Sequence, residues 1–91
     1  MLDKHLVPSQ TPGFMMENFD DEVLLYHSVK TQAVYLNKSA ALIWALCDGK
    51  TTILEIEELL LQNFPEAGDS LAEDISLSLN RFVEIGALEF K

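Results

Sequence analysis

The residues of this chain that could carry acid–base, nucleophilic or metal chemistry are few and widely spaced. The two histidines, His5 and His27, and the single cysteine, Cys47, lack the short spacing that metal-ligand motifs use. The four glycines stand singly, so there is no glycine-rich phosphate-binding loop. No serine or cysteine stands in a nucleophile-elbow sequence. We therefore expect a protein without catalytic residues, bound metal or cofactor.

The last predicted helix, residues 71–85, carries a pattern that suggests binding instead. One apolar stripe of this helix faces the core and contains Leu71, Ile75, Leu79, Phe82 and Val83. About a quarter turn away lies a second set of residues, two of them apolar: Asp74, Leu77, Ser78, Arg81 and Ile85. This flank either touches the sheet or the N-terminal arm, or borders a groove beside a strand edge. An edge of that kind captures an extended peptide as an added strand.

Three segments ahead of the helices have the composition of strands, namely residues 14–19, 22–28 and 32–36. Joined by short connections, they predict an antiparallel meander with two free edges. Apolar residues occur on both parities of the second segment, from Val23 to Tyr26. We therefore expect both faces of the sheet to be at least partly covered.

Residues 40–47 form a short stretch without any polar residue, which predicts a helix buried on most sides. Asn37 is the predicted N-cap, and Gly49 supplies a left-handed C-cap position. We expect Ile43, Trp44 and Leu46 to organise the core, with Cys47 as a buried thiol.

Two capping boxes are predicted for the following helices, Thr52-x-x-Glu55 and Ser70-x-x-Glu73. Residues 87–90 should form an extended tail that packs on the sheet. The predicted fold is α+β, with three strands followed by three helices. Residues 1–13 should form an extended N-terminal arm, and residues 14–91 a single domain.

The net charge of the chain disfavours anionic binding partners. Six basic residues stand against fifteen acidic ones, which gives a net charge of −9. This balance disfavours binding to nucleic acid and to anionic membranes. There is no signal peptide and no apolar run of membrane length, so we expect a cytoplasmic protein.

Several short motifs occur in a fixed order and spacing: Leu36-Asn37, Ile43-Trp44, Asp48-Gly49, Thr52 with Glu55-Ile56, and Asp74-Ile75, supported by Pro8 and Leu24-Leu25-Tyr26. Taken together, over residues 8–88, they resemble the pattern of the PqqD family. The resemblance implies a winged-helix-like fold without catalytic activity. It also implies binding of the leader of a ribosomally made precursor peptide, which is presented to a modifying enzyme, often a radical S-adenosylmethionine protein.

The resemblance further implies where the leader lies. It should run antiparallel to the third strand, along Gln32, Ala33, Val34, Tyr35 and Leu36, and face Asp74, Leu77, Ser78, Arg81 and Ile85. The pathway stays open between pyrroloquinoline quinone, a lasso peptide and another modified peptide.

Two other functions remain as alternatives. One is a small structural or oligomerisation subunit of an enzyme complex, in which the flank of the last helix meets a second copy. The other is a winged-helix DNA-binding protein, but the last helix offers only one basic residue, Arg81, to contact DNA phosphates. We expect a monomer or a weak homodimer.

Overall fold

The computed structural model describes residues 3–20 and 22–91, which form an α+β fold. A single turn of 3₁₀ helix, Pro65–Ala67, joins the second helix to the third. The elements follow in the order β1 (Pro8–Gln10), β2 (Phe14–Phe19), β3 (Glu22–His27), β4 (Ala33–Leu36), α1 (Lys38–Ala45), α2 (Ile53–Asn63), α3 (Ser70–Glu84) and β5 (Leu88–Phe90).

The central sheet has the strand order β2-β3-β4, and both pairs are antiparallel. Because side chains alternate along each strand, Phe14, Leu25 and Leu36 share the inner face, where they are buried in the core. The predicted three-stranded sheet followed by three helices is thereby confirmed. The predicted order omitted β1 and β5, and the likeness to a winged helix stays a prediction.

Helix α1 begins as predicted, because the Asn37 side chain accepts a hydrogen bond from the Ala40 N–H at 2.8 Å. Ile43 and Trp44 are buried, whereas Leu46 is half-buried and Leu42 is 40% exposed. Other elements therefore cover only one side of α1, although residues 40–47 are all apolar. The prediction that this helix is buried on most sides was wrong.

Helix α1 also ends at Ala45, two residues earlier than predicted. Gly49, with φ +79°, lies in the following loop instead of at the C-cap position, which Leu46 occupies. The Gly49 N–H donates to the Pro8 carbonyl at 3.0 Å, so this glycine fixes the loop against β1. Cys47 is fully buried, as predicted.

The two predicted capping boxes have different outcomes. In α2, Thr52 and Glu55 cap each other reciprocally, which confirms the box. In α3 the N-cap is Asp69, whose backbone is already helical, and the Ser70 hydroxyl donates backwards to the Ala67 carbonyl at 2.8 Å. The second box was wrong because the helix begins one residue earlier than predicted, so Ser70 lies inside the helix and not at its N-cap.

Helix α3 buries the predicted stripe with one exception. Leu71, Ile75, Leu79 and Phe82 are buried, but Val83 is 43% exposed. The stripe is therefore narrower than the sequence indicated, because Val83 lies at its margin, beyond the surface that the neighbouring elements cover.

A second, two-stranded sheet joins β1 to β5 in antiparallel register, with Pro8 opposite Phe90. Residues 8–10 of the predicted arm thus lie in a strand, where the Gln10 side chain donates to the Trp44 carbonyl at 2.9 Å. The predicted tail packs on β1 and not on the central sheet, so this part of the prediction was wrong.

Candidate functional site

Strand β4 lies at one edge of the central sheet, and no strand in the described part of the chain pairs with its outer side. The His27 N–H donates to the Gln32 carbonyl at 3.1 Å, which makes these two residues a hydrogen-bonded pair. Bonded and non-bonded pairs alternate along an antiparallel ladder, so Ala33 and Tyr35 fall at non-bonded positions. Their backbone N–H and C=O groups therefore point away from β3, toward the free edge.

A groove runs between the end of β4, the start of α1 and one flank of α3. We call it the β4–α3 groove; its volume is about 150 Å³ and it is lined by Leu36, Asn37, Ala40, Leu77, Ser78, Arg81 and Phe82. Leu36 and Phe82 are buried and form its apolar base, whereas Leu77 is 61% exposed. The groove therefore offers apolar surface beside unpaired backbone groups.

The structure brings together only part of the predicted binding set. Four of its members, Leu36, Leu77, Ser78 and Arg81, line the β4–α3 groove. The others lie around it. Val34 and Ile85 pack against the core, and Tyr35 is 62% exposed on the outer side of the sheet. Gln32 and Ala33 border a depression by the β3–β4 hairpin, and Asp74 lines a separate pocket with Ser39 and Glu66.

Sequence reasoning missed three groove residues, Asn37, Ala40 and Phe82. Asn37 was recognised as a helix cap, and Phe82 as a core residue. The signal that could have found them is chain continuity, because the first turn of α1 directly follows the edge strand and must lie at the end of any groove along it.

Charge in the β4–α3 groove comes mainly from Arg81, whose side chain is exposed. Within residues 3–20 and 22–91, Arg81 takes part in no salt bridge, and the ion pair that does form joins Lys4 to Glu57 at 3.1 Å. The guanidinium is thus available to a carboxylate of a bound molecule.

The groups that could perform chemistry have structural roles. Burial raises the pKa of the Cys47 thiol to about 12, with a smaller contribution from the Asp48 charge, and the thiol donates to the Ile43 carbonyl at 3.1 Å. His27 Nδ1 accepts hydrogen bonds from the Val29 and Lys30 N–H groups and so holds the β3–β4 hairpin. In the described part of the chain, no group of three or more histidine, cysteine or acidic side chains is placed to hold a metal ion.

A larger cavity, about 430 Å³, lies on a different side of α3, where Ile53 and Ile75 meet the Lys4–Glu57 ion pair. Among the described residues, none that lines this cavity belongs to a strand, so the lining offers no strand edge to an extended chain. None of the helices in residues 3–20 and 22–91 is long and apolar enough to cross a membrane.

A scan against protein-family models matched residues 22–88 to the model described as Coenzyme PQQ synthesis protein D (PqqD). A search of the curated proteins and a search of the solved structures each found no match. The matched residues include β3, β4 and all three helices, and hence both walls of the β4–α3 groove. Because the match covers most of the chain, this protein belongs to the PqqD family, whose non-catalytic accessory proteins have a peptide-binding role in pyrroloquinoline quinone biosynthesis.

Proposed function

We propose that this chain binds the leader of a ribosomally made precursor peptide as an added strand on β4, and presents it to the enzyme that modifies the peptide. Family membership supports a peptide ligand and a biosynthetic enzyme partner. The observation that carries the mechanism is the free edge of β4, which lies beside an exposed leucine, Leu77, in the β4–α3 groove.

The backbone of the leader pairs with Ala33 and Tyr35, because these residues direct their N–H and C=O groups outward. Four hydrogen bonds form, each contributing about 0.5–1.5 kcal/mol, for a total of about 2–6 kcal/mol. A micromolar dissociation constant needs about 8 kcal/mol. Apolar contacts in the groove must therefore supply the difference, as well as the sequence preference.

Side chains of an added strand alternate between the two faces of the sheet. Those on the inner face enter the β4–α3 groove, where Leu77 contacts an apolar leader residue and Arg81 pairs with an acidic one. Binding therefore selects a leader segment that combines apolar and acidic residues at alternate positions.

The alternative of a DNA-binding protein finds no support in α3. Arg81 is its sole basic residue, against Glu73, Asp74 and Glu84. A recognition helix with this balance would repel phosphates.

The test is a titration of the ¹⁵N-labelled chain with the synthetic leader of the precursor peptide encoded beside its gene. Amide shifts should cluster on residues 32–36 and 74–85. Clustering on β2 would mean that the peptide uses the opposite edge, and the absence of binding would contradict the function.

The edge itself is tested by Ala33→Pro. Ala33 is the first residue of β4, a position that tolerates proline, and its N–H is directed away from β3. The variant should keep the fold but lose an outward donor and obstruct pairing with the leader. Ala33→Val is the matched control, because it adds bulk and keeps the N–H. Equal affinity of the two variants for the leader would refute strand addition at β4.

A further inference from the structure

The side of the central sheet that faces away from the helices has an unusual composition. We call it the outer sheet face, made of Met15, Glu17, Phe19, Glu22, Leu24, Tyr26, Ala33 and Tyr35. The strand register aligns Met15, Tyr26 and Ala33 in one row, and Glu17, Leu24 and Tyr35 in the next. Six of these eight positions are apolar or aromatic.

A sheet with one solvated face normally alternates apolar inward residues with polar outward ones. Here the outer residues remain open although they are apolar: Met15 is 50% exposed, Phe19 48% and Tyr35 62%. The sequence predicted that both faces would be covered, yet the helices pack on the inner face, with Phe14, Leu25 and Leu36. The outer sheet face is the surface that this pattern leaves without a partner.

We propose that the outer sheet face is the docking surface for the enzyme that modifies the leader-bound peptide, and that the enzyme meets it with apolar residues flanked by basic ones. The inference rests on the proposed function, and it adds a surface separate from the β4–α3 groove.

Charge favours a basic partner. The two ionisable acids of the face are Glu17 and Glu22, while Lys30 lies beyond its end in the hairpin. The Tyr26 hydroxyl donates to Glu17 Oε1 at 3.0 Å, which holds that carboxylate over the face. A lysine or arginine of the partner therefore meets an acceptor that is already oriented.

Area and charge both disfavour a second copy of this chain as the occupant. Two strands of six residues and one of four, about 4.8 Å apart, cover about 260 Å². A stable interface buries about 800 Å² on each partner. Face-to-face pairing would also bring Glu17 and Glu22 of two chains together, each chain with a net charge of −9. The face suits a transient contact with a different protein.

Strand β4 connects the two surfaces, because its edge takes the leader and Tyr35 lies on the outer sheet face. A leader added to β4 becomes a fourth strand, and every second side chain of the leader extends this face. The enzyme would then contact both the chain and the leader. Binding of the leader should therefore raise the affinity of the chain for the enzyme, and the coupling must be reciprocal.

The experiment uses the purified modifying enzyme encoded beside the gene, titrated with the full chain in the presence and absence of the synthetic leader. Met15→Lys and Glu17→Lys place positive charge on the outer sheet face, at positions on β2 away from the β4 edge. Leu61→Lys is the matched control, because Leu61 is 42% exposed on α2, which packs on α3 instead of the sheet.

We expect the two face variants to bind the enzyme at least about tenfold more weakly, with unchanged affinity for the leader and unchanged melting temperature. Leu61→Lys should bind both like the unaltered chain. The leader should tighten enzyme binding to the unaltered chain.

Equal enzyme affinity for all variants, with the leader still bound, would overturn the docking surface and leave the proposed function intact. Equal enzyme affinity with and without the leader would refute the claim that the enzyme contacts both the outer sheet face and the bound leader. If the leader fails to bind the unaltered chain, the proposed function fails first. Self-association of the chain that Met15→Lys abolishes would assign the face to a homodimer and refute the inference.

Discussion

Replacing Leu77 with aspartate should weaken leader binding without unfolding the domain. Leu77 is 61% exposed in the free protein, so the fold depends little on it. Fully burying a leucine side chain stabilises by about 1.5–3 kcal/mol, and the exposed share corresponds to about 0.9–1.8 kcal/mol on binding. Aspartate loses this contribution and also places a carboxylate in the apolar groove. We expect a total loss of about 1.4–2.8 kcal/mol, or ten- to a hundredfold in affinity.

Isothermal titration calorimetry with the leader measures this loss, and a companion variant separates its two causes. Leu77→Ala removes only the apolar contact and should cost about five- to twentyfold. Val83→Asp is the matched control: Val83 is 43% exposed and lies about 120° round α3 from Leu77. It should leave the affinity unchanged.

The reasoning would be refuted if Leu77→Asp bound the leader as tightly as the unaltered chain does. It would also be refuted if Val83→Asp lost as much affinity as Leu77→Asp, because the effect would then arise from the charge of α3 and not from the groove. Circular dichroism melts of each variant verify that the comparison is made between folded proteins.

Three further predictions concern the scaffold. Trp44→Ala should cost about 3–5 kcal/mol in urea unfolding, because Trp44 is 4% exposed and its indole N–H donates to the Ala87 carbonyl. Leu42→Ala on the same helix should cost clearly less, and a loss below about 1 kcal/mol for Trp44→Ala would refute the central role of α1. Cys47 should not react with a thiol reagent at pH 8 until the chain unfolds, since burial raises its pKa to about 12; rapid labelling of the folded protein would contradict this. Hydrogen bonds from the Lys50 and Thr51 N–H groups hold the pKa of the Asp48 carboxyl below its ordinary value, so Asp48→Asn should be less stable than the unaltered chain at pH 7. That difference should shrink as the pH falls below the ordinary carboxyl pKa and through the lowered one, and a difference independent of pH would refute the role of the charge.

Local patterns predicted most of the fold. The strands, the Asn37 cap and the Thr52–Glu55 box depend on residues within a few positions of one another, so the sequence reveals them directly. The β1–β5 sheet was missed because its strands have three residues each and pair across almost the whole chain. Such short strands carry no recognisable period. The Ser70–Glu73 box failed because Asp69 takes the N-cap position, and the Ser70 hydroxyl donates back to the Ala67 carbonyl instead of capping the helix.

The candidate site was predicted less completely than the fold. Helical angles identified Leu77, Ser78 and Arg81 as one flank, and all three line the β4–α3 groove. The same angles included Asp74 and Ile85, which lie on that flank but nearer the two ends of α3. Which turn of a helix lies beside a neighbouring strand depends on how the two pack, and helical angles do not predict it.

The pairing of β1 with β5 also has a consequence for the order of folding. The hairpins and helices of residues 14–84 join segments that are neighbours in the sequence, whereas Pro8 pairs with Phe90 at the other end of the chain. Contacts over such a separation form slowly, and during synthesis β1 has only residues 47–49 to pair with until β5 has left the ribosome. The backbone amides of Thr11 and Lys91 donate to the Ala87 and Val7 carbonyls, so they become protected from hydrogen exchange only in this last step. The two-stranded sheet should therefore form last, after the core has assembled.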